Sequence, residues 1–437
     1  MNRYSSYKDS GVEWLGDIPE HWEVKKLKFL GNSIGGLTYS PNDVVGDTTK
    51  GKLVLRSSNI QNGKLSLLDN VYVNLEVSKK LTLKKGDILI CSRNGSKHLI
   101  GKNICIDERT EGETFGAFMM IFRSANYQFL NHFFNSPIFT SQSGLFLTAT
   151  INQLTSGTLN NFYIAIPPSI AEQTAIANYL DKKTAIVDTL IASKVQKINL
   201  LKENRTALIN HVITKGLNPN VKLKDSGVEW IGEIPEHWEV GKLNFYCERI
   251  GDGLHSTPNY DDNGDFFFIN GNNIKNRKII FSDNTRKVNK EEFDKYFIKL
   301  STKQTLLLSI NGTIGNLSYY NDEKVILGKS VCYINLKTNN LKIDFLYWFL
   351  YCNSIQKYFQ FELTGTTIFN LSLNTIRKCP LVIPIIQEQQ QIVEYLNTHT
   401  QEIDELISLE EKKIVTLKEY RQALISEVVT GKIKVVN

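Results

Sequence analysis

Two sets of polar side chains sit in turns between strand-like runs, where they could meet a ligand. The first half of the chain supplies Arg56, Ser57, Asn59, Arg93, Asn94, Ser96, Lys97, His98 and Lys102, then Asn152 and Gln153. The second half supplies His255, Asn270, Asn272, Asn273, Lys275, Arg277, Asn311, Thr313 and Lys329, then Thr367 and Asn370. Arg bonds guanine through two parallel hydrogen bonds, Asn and Gln do the same for adenine, and Lys mostly finds phosphates. Residues of these types suit the edges and backbone of a nucleic acid. Each also has a plain structural use, since an Asn–Gly pair readily makes a turn.

Bond-making chemistry is harder to find. Gly46 to Leu53 nearly spells a phosphate-binding GxxxxGK[ST] loop, but Leu53 stands where the magnesium-binding hydroxyl belongs. Glu410-Glu411-Lys412 has the Glu-x-Lys spacing of some nucleases, without an upstream acid cluster. A charged helix face accounts for it better. There is no adenine-methylase tetrapeptide of the NPPY or DPPF kind and no Gly-rich methyl-donor loop. The seven histidines lack ligand spacing, and the six cysteines form no CxxC pair. A structural zinc site is therefore not expected, and the scattered thiols fit a reducing cytoplasm. No catalytic residue, metal ligand or cofactor site is assigned to this chain.

The elements that must hold these side chains occur twice. Asp9–Leu27 and Asp225–Leu243 agree at 16 of 19 positions, 216 residues apart. The offset returns at Ile166–Pro168 and Val382–Pro384, at Glu172–Gln173 and Glu388–Gln389, at Asp188 and Asp404, and at Arg205 and Arg421. Each half thus has a constant opening, a divergent middle and a constant close. Such a repeat indicates one structural unit used twice.

Both closing segments read as long helices. Residues 172–213 contain no Gly or Pro, with Pro167–Pro168 before them and Gly216 after. Positions 176, 180, 184, 187, 191, 194, 198, 201, 205, 208 and 212 follow steps of four and three, alternating after a first repeated four, and the same seam runs from Ile392 to Val428. That is a heptad stripe about 60 Å long at 1.5 Å per residue, which must be buried. The two stripes most simply bury each other as an antiparallel pair. The equivalent seam residues Lys194 and Glu410, near the helix midpoints, are then expected to lie close together. The middles read as mixed α/β, with strands at Leu53–Leu55, Asp87–Cys91, Phe266–Ile269 and Leu306–Ile310 and short helices near 126–135 and 343–353.

The expected fold class is therefore α+β: two mixed α/β domains joined by two long antiparallel, coiled-coil-like helices in a pseudo-twofold internal repeat. The expected boundaries are 1–168 and 217–384 for the domains, 169–216 for the first helix, and 385–437 for the second helix and tail. With 437 residues and 41% hydrophobic content, two substantial cores can form. The net charge of +6 permits a nucleic-acid partner without requiring one. No apolar run reaches membrane-spanning length.

The whole pattern resembles the specificity subunit of type I DNA restriction-modification systems. The resemblance rests on the duplicated SGVEW-x-G-x-IPEHWEV openings, on the Pro then Glu-Gln that starts each long helix, and on the endings Thr214–Gly216 and Thr430–Lys432. Asp252-Gly-Leu-His-Ser-Thr-Pro258 looks like the DG-x-H-x-TP element that opens many recognition domains of that family; the first half has Gly35–Pro41 in its place. The resemblance implies that each middle reads one half of a split double-stranded DNA site. It implies that the helices set the gap and dock two adenine-methylating modification subunits, and that restriction subunits can join. S-adenosylmethionine, ATP and magnesium would then belong to partner subunits, and the chain to the cytoplasm. Two other readings stay open on sequence: a nuclease or methyltransferase with an unrecognised site in one middle, and an interaction scaffold with no DNA role.

Overall fold

The computed structural model describes residues 3–46, 51–145, 152–337, 340–365 and 369–435. Part of the phosphate-loop near-match, and Thr367 among the candidate contacts, lie outside the described residues. The chain forms two compact units, Met1–Val195 with Glu411–Asn437, and Gln196–Glu410.

In the first unit a four-stranded antiparallel sheet has the order Asn103–Cys105, Ile88–Cys91, Met119–Arg123, Asn32–Gly35. Both of its faces are covered, which explains the unbroken apolar runs ILIC and MMIF. Ile88, Ile90, Met120 and Phe122 join one core. Leu89, Cys91, Met119 and Ile121 join another. Successive residues of a strand point to opposite faces, so two cores need every position apolar. A smaller sheet places Lys52–Leu55 parallel to Thr114–Phe115. The opening strand Glu23–Lys26 pairs antiparallel with Tyr163–Ile166, the last strand before the long helix.

The second unit repeats this plan. Its main sheet runs Cys247–Asp252, Val331–Leu336, Thr305–Ser309, Leu317–Tyr319. Leu306, Leu308, Cys332 and Ile334 enter one core, whereas Leu307, Val331 and Tyr333 enter another. Phe266–Ile269 runs parallel to Val325–Leu327, and Glu239–Lys242 pairs with Pro380–Ile383. All six cysteines are free.

The long helices are Ile170–Lys215 and Ile386–Val429. Every position of both heptad seams is buried or half-buried. Each unit contains one stretch from each helix, and within each the two stretches run antiparallel. In the first unit Arg421 Nε meets Asp188 Oδ1 at 2.9 Å, while Ile176 and Leu180 share a core with Leu424, Ile425 and Val428. In the second, Arg205 Nε meets Asp404 Oδ1 at 2.9 Å, while Ile209, Val212 and Ile213 share a core with Ile392 and Leu396. The repeated Asp and Arg therefore make the same bridge once in each unit. Glu410 is buried and receives Lys197 Nζ at 2.9 Å. Lys197 lies one helical turn from Lys194, the seam residue equivalent to Glu410.

The repeated opening anchors both helix ends in its unit. The buried Trp22 indole donates to Glu172 Oε1 at 3.1 Å, and His21 Nε2 lies 3.0 Å from Glu172 Oε2. Trp238 and His237 meet Glu388 in the same way, at 3.1 and 3.0 Å. The neighbouring Gln173 and Gln389 amides donate to the Pro167 and Pro384 carbonyls at 2.8 and 2.9 Å. Glu-Gln thus fixes the first turn of each helix, and its acid sits at the positive end of the helix dipole. The other helix of each unit ends on the same tryptophan. Gly431, at φ +73°, packs on Pro19 and Trp22, and Gly216, at φ +74°, on Trp238. A side chain at either would be strained, and at Gly431 it would also meet Pro19 Cδ at 2.4 Å.

Glu172→Ala leaves the buried Trp22 N–H without its acceptor and should cost about 1–3 kcal/mol, with Glu388→Ala costing a similar amount. Denaturant unfolding of each variant measures this. A loss below about 0.5 kcal/mol, the range of ordinary surface substitutions, would show that the node does not hold the helix starts.

Candidate nucleic-acid interface

Many of the candidate polar residues fall where several chain segments converge at one end of the main sheet. In the first unit these are 36–37, 55–57, 91–94, 115–118 and 152–154. The Leu37 amide donates to Phe115 O at 2.8 Å, Gly116 to Leu55 O at 3.0 Å, Ser92 to Phe118 O at 2.9 Å and Leu154 to Ser92 O at 2.8 Å. The Asn94 amide reaches Ser57 Oγ at 3.3 Å. In the second unit the matching segments are 253–254, 269–271, 309–311, 327–331 and 370–371. Leu254 donates to Leu327 O at 2.7 Å, Gly328 to Ile269 O at 2.8 Å, Ile310 to Ser330 O at 3.0 Å and Leu371 to Ile310 O at 2.9 Å.

The close approach at these sites forces glycine. A Cβ on Gly36 would stand 2.1 Å from Gly116 O, and one on Gly253 would stand 2.0 Å from Leu327 O. Gly36–Leu37 therefore occupies the place of Gly253–Leu254, although only the second half spells the DG-x-H-x-TP element. His255 of that element is exposed, with Nε2 2.7 Å from Asp252 Oδ2.

Several candidates serve the scaffold. Asn59 is fully buried: its Oδ1 accepts from the Arg56 amide at 2.9 Å, and its Nδ2 donates to Ser66 O at 3.0 Å. Asn273 repeats this, accepting from the Asn270 amide at 2.9 Å and donating to Ile280 O at 3.0 Å. Both fix a one-turn 3-10 helix ahead of a short hairpin; Asn59, fully buried, has no surface left for a base, and for it the expectation is corrected. Arg277 stacks on Tyr347 and Trp348, 4.6 Å from each ring centre, and donates to Asn397 Oδ1 at 3.2 Å. It ties the domain to its helix. Arg56 pairs with Asp69 at 2.9 Å. Lys102 donates to the Ser57 carbonyl at 2.8 Å, and burial pushes its ammonium below the usual lysine range. Asn152 donates to Gly95 O at 3.2 Å, and Asn270 Oδ1 accepts from Ser330 Oγ at 3.0 Å.

What is left for a ligand is smaller and sits at the loop tips. Arg93, Ser96, Lys97, His98 and Gln153 are exposed in the first unit, and His255, Asn272, Lys275, Thr313 and Lys329 in the second. Asn311 and Asn370 are half-buried and joined by an antiparallel bridge, as Arg93 and Gln153 are. Exposed Phe118 was missed from sequence; Arg93 lies over its ring at 5.4 Å. Only the fold reveals it, because an aromatic next to a strand reads as core. Among the described residues, no group of three or more His, Cys, Asp or Glu could hold a metal ion. No helix among them is long and apolar enough to cross a membrane.

The surface is thus built twice on one scaffold, with different residues at its tips. The sequence model of the type I restriction modification DNA specificity domain matches residues 19–200 and 235–419. The chain belongs to this specificity-domain family. It is similar to the putative type I restriction enzyme MjaX specificity subunit of Methanocaldococcus jannaschii, 25% identical across 96% of both chains. It is 32% identical to the EcoKI specificity subunit of Escherichia coli over 56% of this chain and 52% of that one. A solved structure from a study of type I R-M assembly and conformational transition superposes with a TM-score of 0.72 at 16% identity, covering 95% of this chain and 99% of that one. The HsdS subunit from Thermoanaerobacter tengcongensis gives 0.54, also at 16% identity, over 95% and 98%. These likenesses establish the fold, and they match the specificity-subunit architecture expected from the duplicated openings.

Asn59→Ala and Asn273→Ala should each lower stability by about 1–3 kcal/mol, the cost of orphaning turn groups. Lys97→Ala and Lys329→Ala should stay within about 0.5 kcal/mol of the parent. Denaturation midpoints compare the four; the opposite ranking would return the two asparagines to the candidate contact surface.

Proposed function

We propose that the chain is the DNA-recognition subunit of a type I restriction-modification complex and that each convergent loop surface reads one half of a two-part site. One observation carries the reading: equivalent loops are held by near-identical backbone contacts in both units, yet end in different polar side chains. A scaffold conserved between units whose tips differ is what two half-sites of unlike sequence require. Arg, Lys and His at the first tips and Asn, Thr and Lys at the second supply donors and acceptors for groove edges and phosphates.

In this reading 1–168 and 217–384 are the recognition domains, and the helices in 169–216 and 385–437 set the gap between half-sites. The helices also present apolar residues to water, Ile186 and Leu190 in one unit and Leu406 and Leu409 in the other, where two adenine-methylating modification subunits would dock. Those partners, with restriction subunits where present, would bring S-adenosylmethionine, ATP and magnesium. The target adenine would leave the stack for the partner's pocket while this chain holds the flanking sequence. A cytoplasmic setting follows from the substrate.

Methylome sequencing of a host expressing this chain with its modification subunit should reveal a two-part motif with a fixed gap. Replacing residues 28–165 with a relative's domain should change one half of that motif only. A single uninterrupted motif, or turnover by the purified chain alone with DNA, magnesium and S-adenosylmethionine, would overturn the reading. Binding should weaken steeply with salt as phosphate contacts are screened.

A further inference from the structure

We propose that one small element, the isolated bridge between residues 93 and 153 and its counterpart between 311 and 370, chooses a base in each half-site. The proposal rests on the DNA-reading function above. Both bridges are antiparallel and lie within the convergent loops. Facing residues of an antiparallel pair project side chains on the same side, with Cβ atoms about 4.5–5.5 Å apart. That spacing exceeds the roughly 3.4 Å between successive bases of a strand by about 1–2 Å, a difference that two long side chains can close. Two such side chains can therefore address neighbouring base pairs.

The polar side chains next to the first bridge already have partners, whereas those on both bridges are available. Asn94 donates to Ser57, and Asn152 to the Gly95 carbonyl. Arg93 is exposed and lies over the Phe118 ring at 5.4 Å, a contact that restrains the guanidinium. Gln153 beside it is exposed. Among the described residues, the side-chain amides of Gln153, Asn311 and Asn370 take part in no hydrogen bond, while the Asn370 backbone N–H is held by the Thr364 carbonyl at 2.9 Å. The bridge backbone is itself held by Leu154 to Ser92 O at 2.8 Å and Leu371 to Ile310 O at 2.9 Å, so its position does not depend on the side chains tested.

The residue types differ as two specificities would require. Arg93 presents the fork that matches guanine O6 and N7, with Gln153 suited to the adenine edge next to it. Asn311 and Asn370 are both suited to adenine. The bridge in the first unit thus selects guanine next to adenine, and that in the second selects adenine.

The test exchanges the pairs in the full complex with its modification subunit. The variants are Arg93→Asn with Gln153→Asn, and Asn311→Arg with Asn370→Gln. Methylation is read on duplexes randomised across both half-sites. The first variant should lose its guanine preference by about ten- to a hundred-fold at one position, gain adenine there, and leave the other half-site unchanged. The second should gain guanine in the other half-site. Arg93→Lys, which keeps the charge but loses the fork, should relax that same position. Unchanged base preference in all three variants overturns the assignment. So does a uniform loss across all sequences with a shallower salt dependence, the mark of a phosphate contact. If a double variant erases a whole half-site, Arg93→Lys decides, and unaltered preference there counts against the bridge. A wild-type complex with no two-part motif would instead overturn the function on which the proposal rests.

Discussion

A buried tryptophan holding a glutamate at the first turn of a helix is the contact on which each unit depends. Trp22 and Trp238 are both fully buried, and each indole N–H must find an acceptor there. Glu172 and Glu388 supply it from the first turns of the two helices. The same rings receive the glycines that end the opposite helix stretch, Gly431 and Gly216. Three pieces of chain remote in sequence therefore meet on one side chain. This explains the near-identity of the two openings: a change at the tryptophan disturbs a strand, a helix start and a helix end together.

The recognition middles are under a looser constraint. Their shared requirement is a backbone path, fixed by the close approach of Gly36 to Gly116 and of Gly253 to Leu327. Side chains on that path can change as long as the glycines stay. Even the tie between domain and helix varies. At equivalent places, His132 Nε2 lies 2.9 Å from Asp181 in one unit, and the Trp348 indole donates to Asn397 at 3.2 Å in the other. Arg277 reinforces only the second of these ties.

Much of the scaffold was legible because its physics is periodic or repeated. The heptad seam announced helices that bury one stripe, and the 216-residue offset announced two like units. The reciprocal Asp188–Arg421 and Arg205–Asp404 bridges were visible as matched residues, though not as pairs. The site was less legible, because residue type does not say whether a side chain is already engaged. Asn59, Asn273 and Arg277 have base-reading chemistry, but turns and aromatic rings use it internally. Phe118 escaped notice for the converse reason: its apolar ring faces water. Gly35–Pro41 could be placed against Asp252–Pro258 from sequence, but the reason both keep a glycine at the second position could not, because the constraint is a carbonyl remote in the chain, Gly116 for Gly36 and Leu327 for Gly253.

The division of the chain bears on the order in which the molecule can be made. The second unit is continuous, Gln196–Glu410, whereas the first combines residues 1–195 with 411–437. Leu424, Ile425, Val428 and Ile433 complete a core begun by Leu15 and Trp22, and Tyr7 bonds the Gly431 carbonyl at 3.3 Å. During synthesis from the N-terminus, the later half can thus close before the earlier one. The first domain leaves the ribosome with an open apolar face and waits for the last two dozen or so residues to seal it. A truncated product would carry one finished unit and one exposed core, so the quality-control machinery of the cell would meet incomplete copies as unfolded protein.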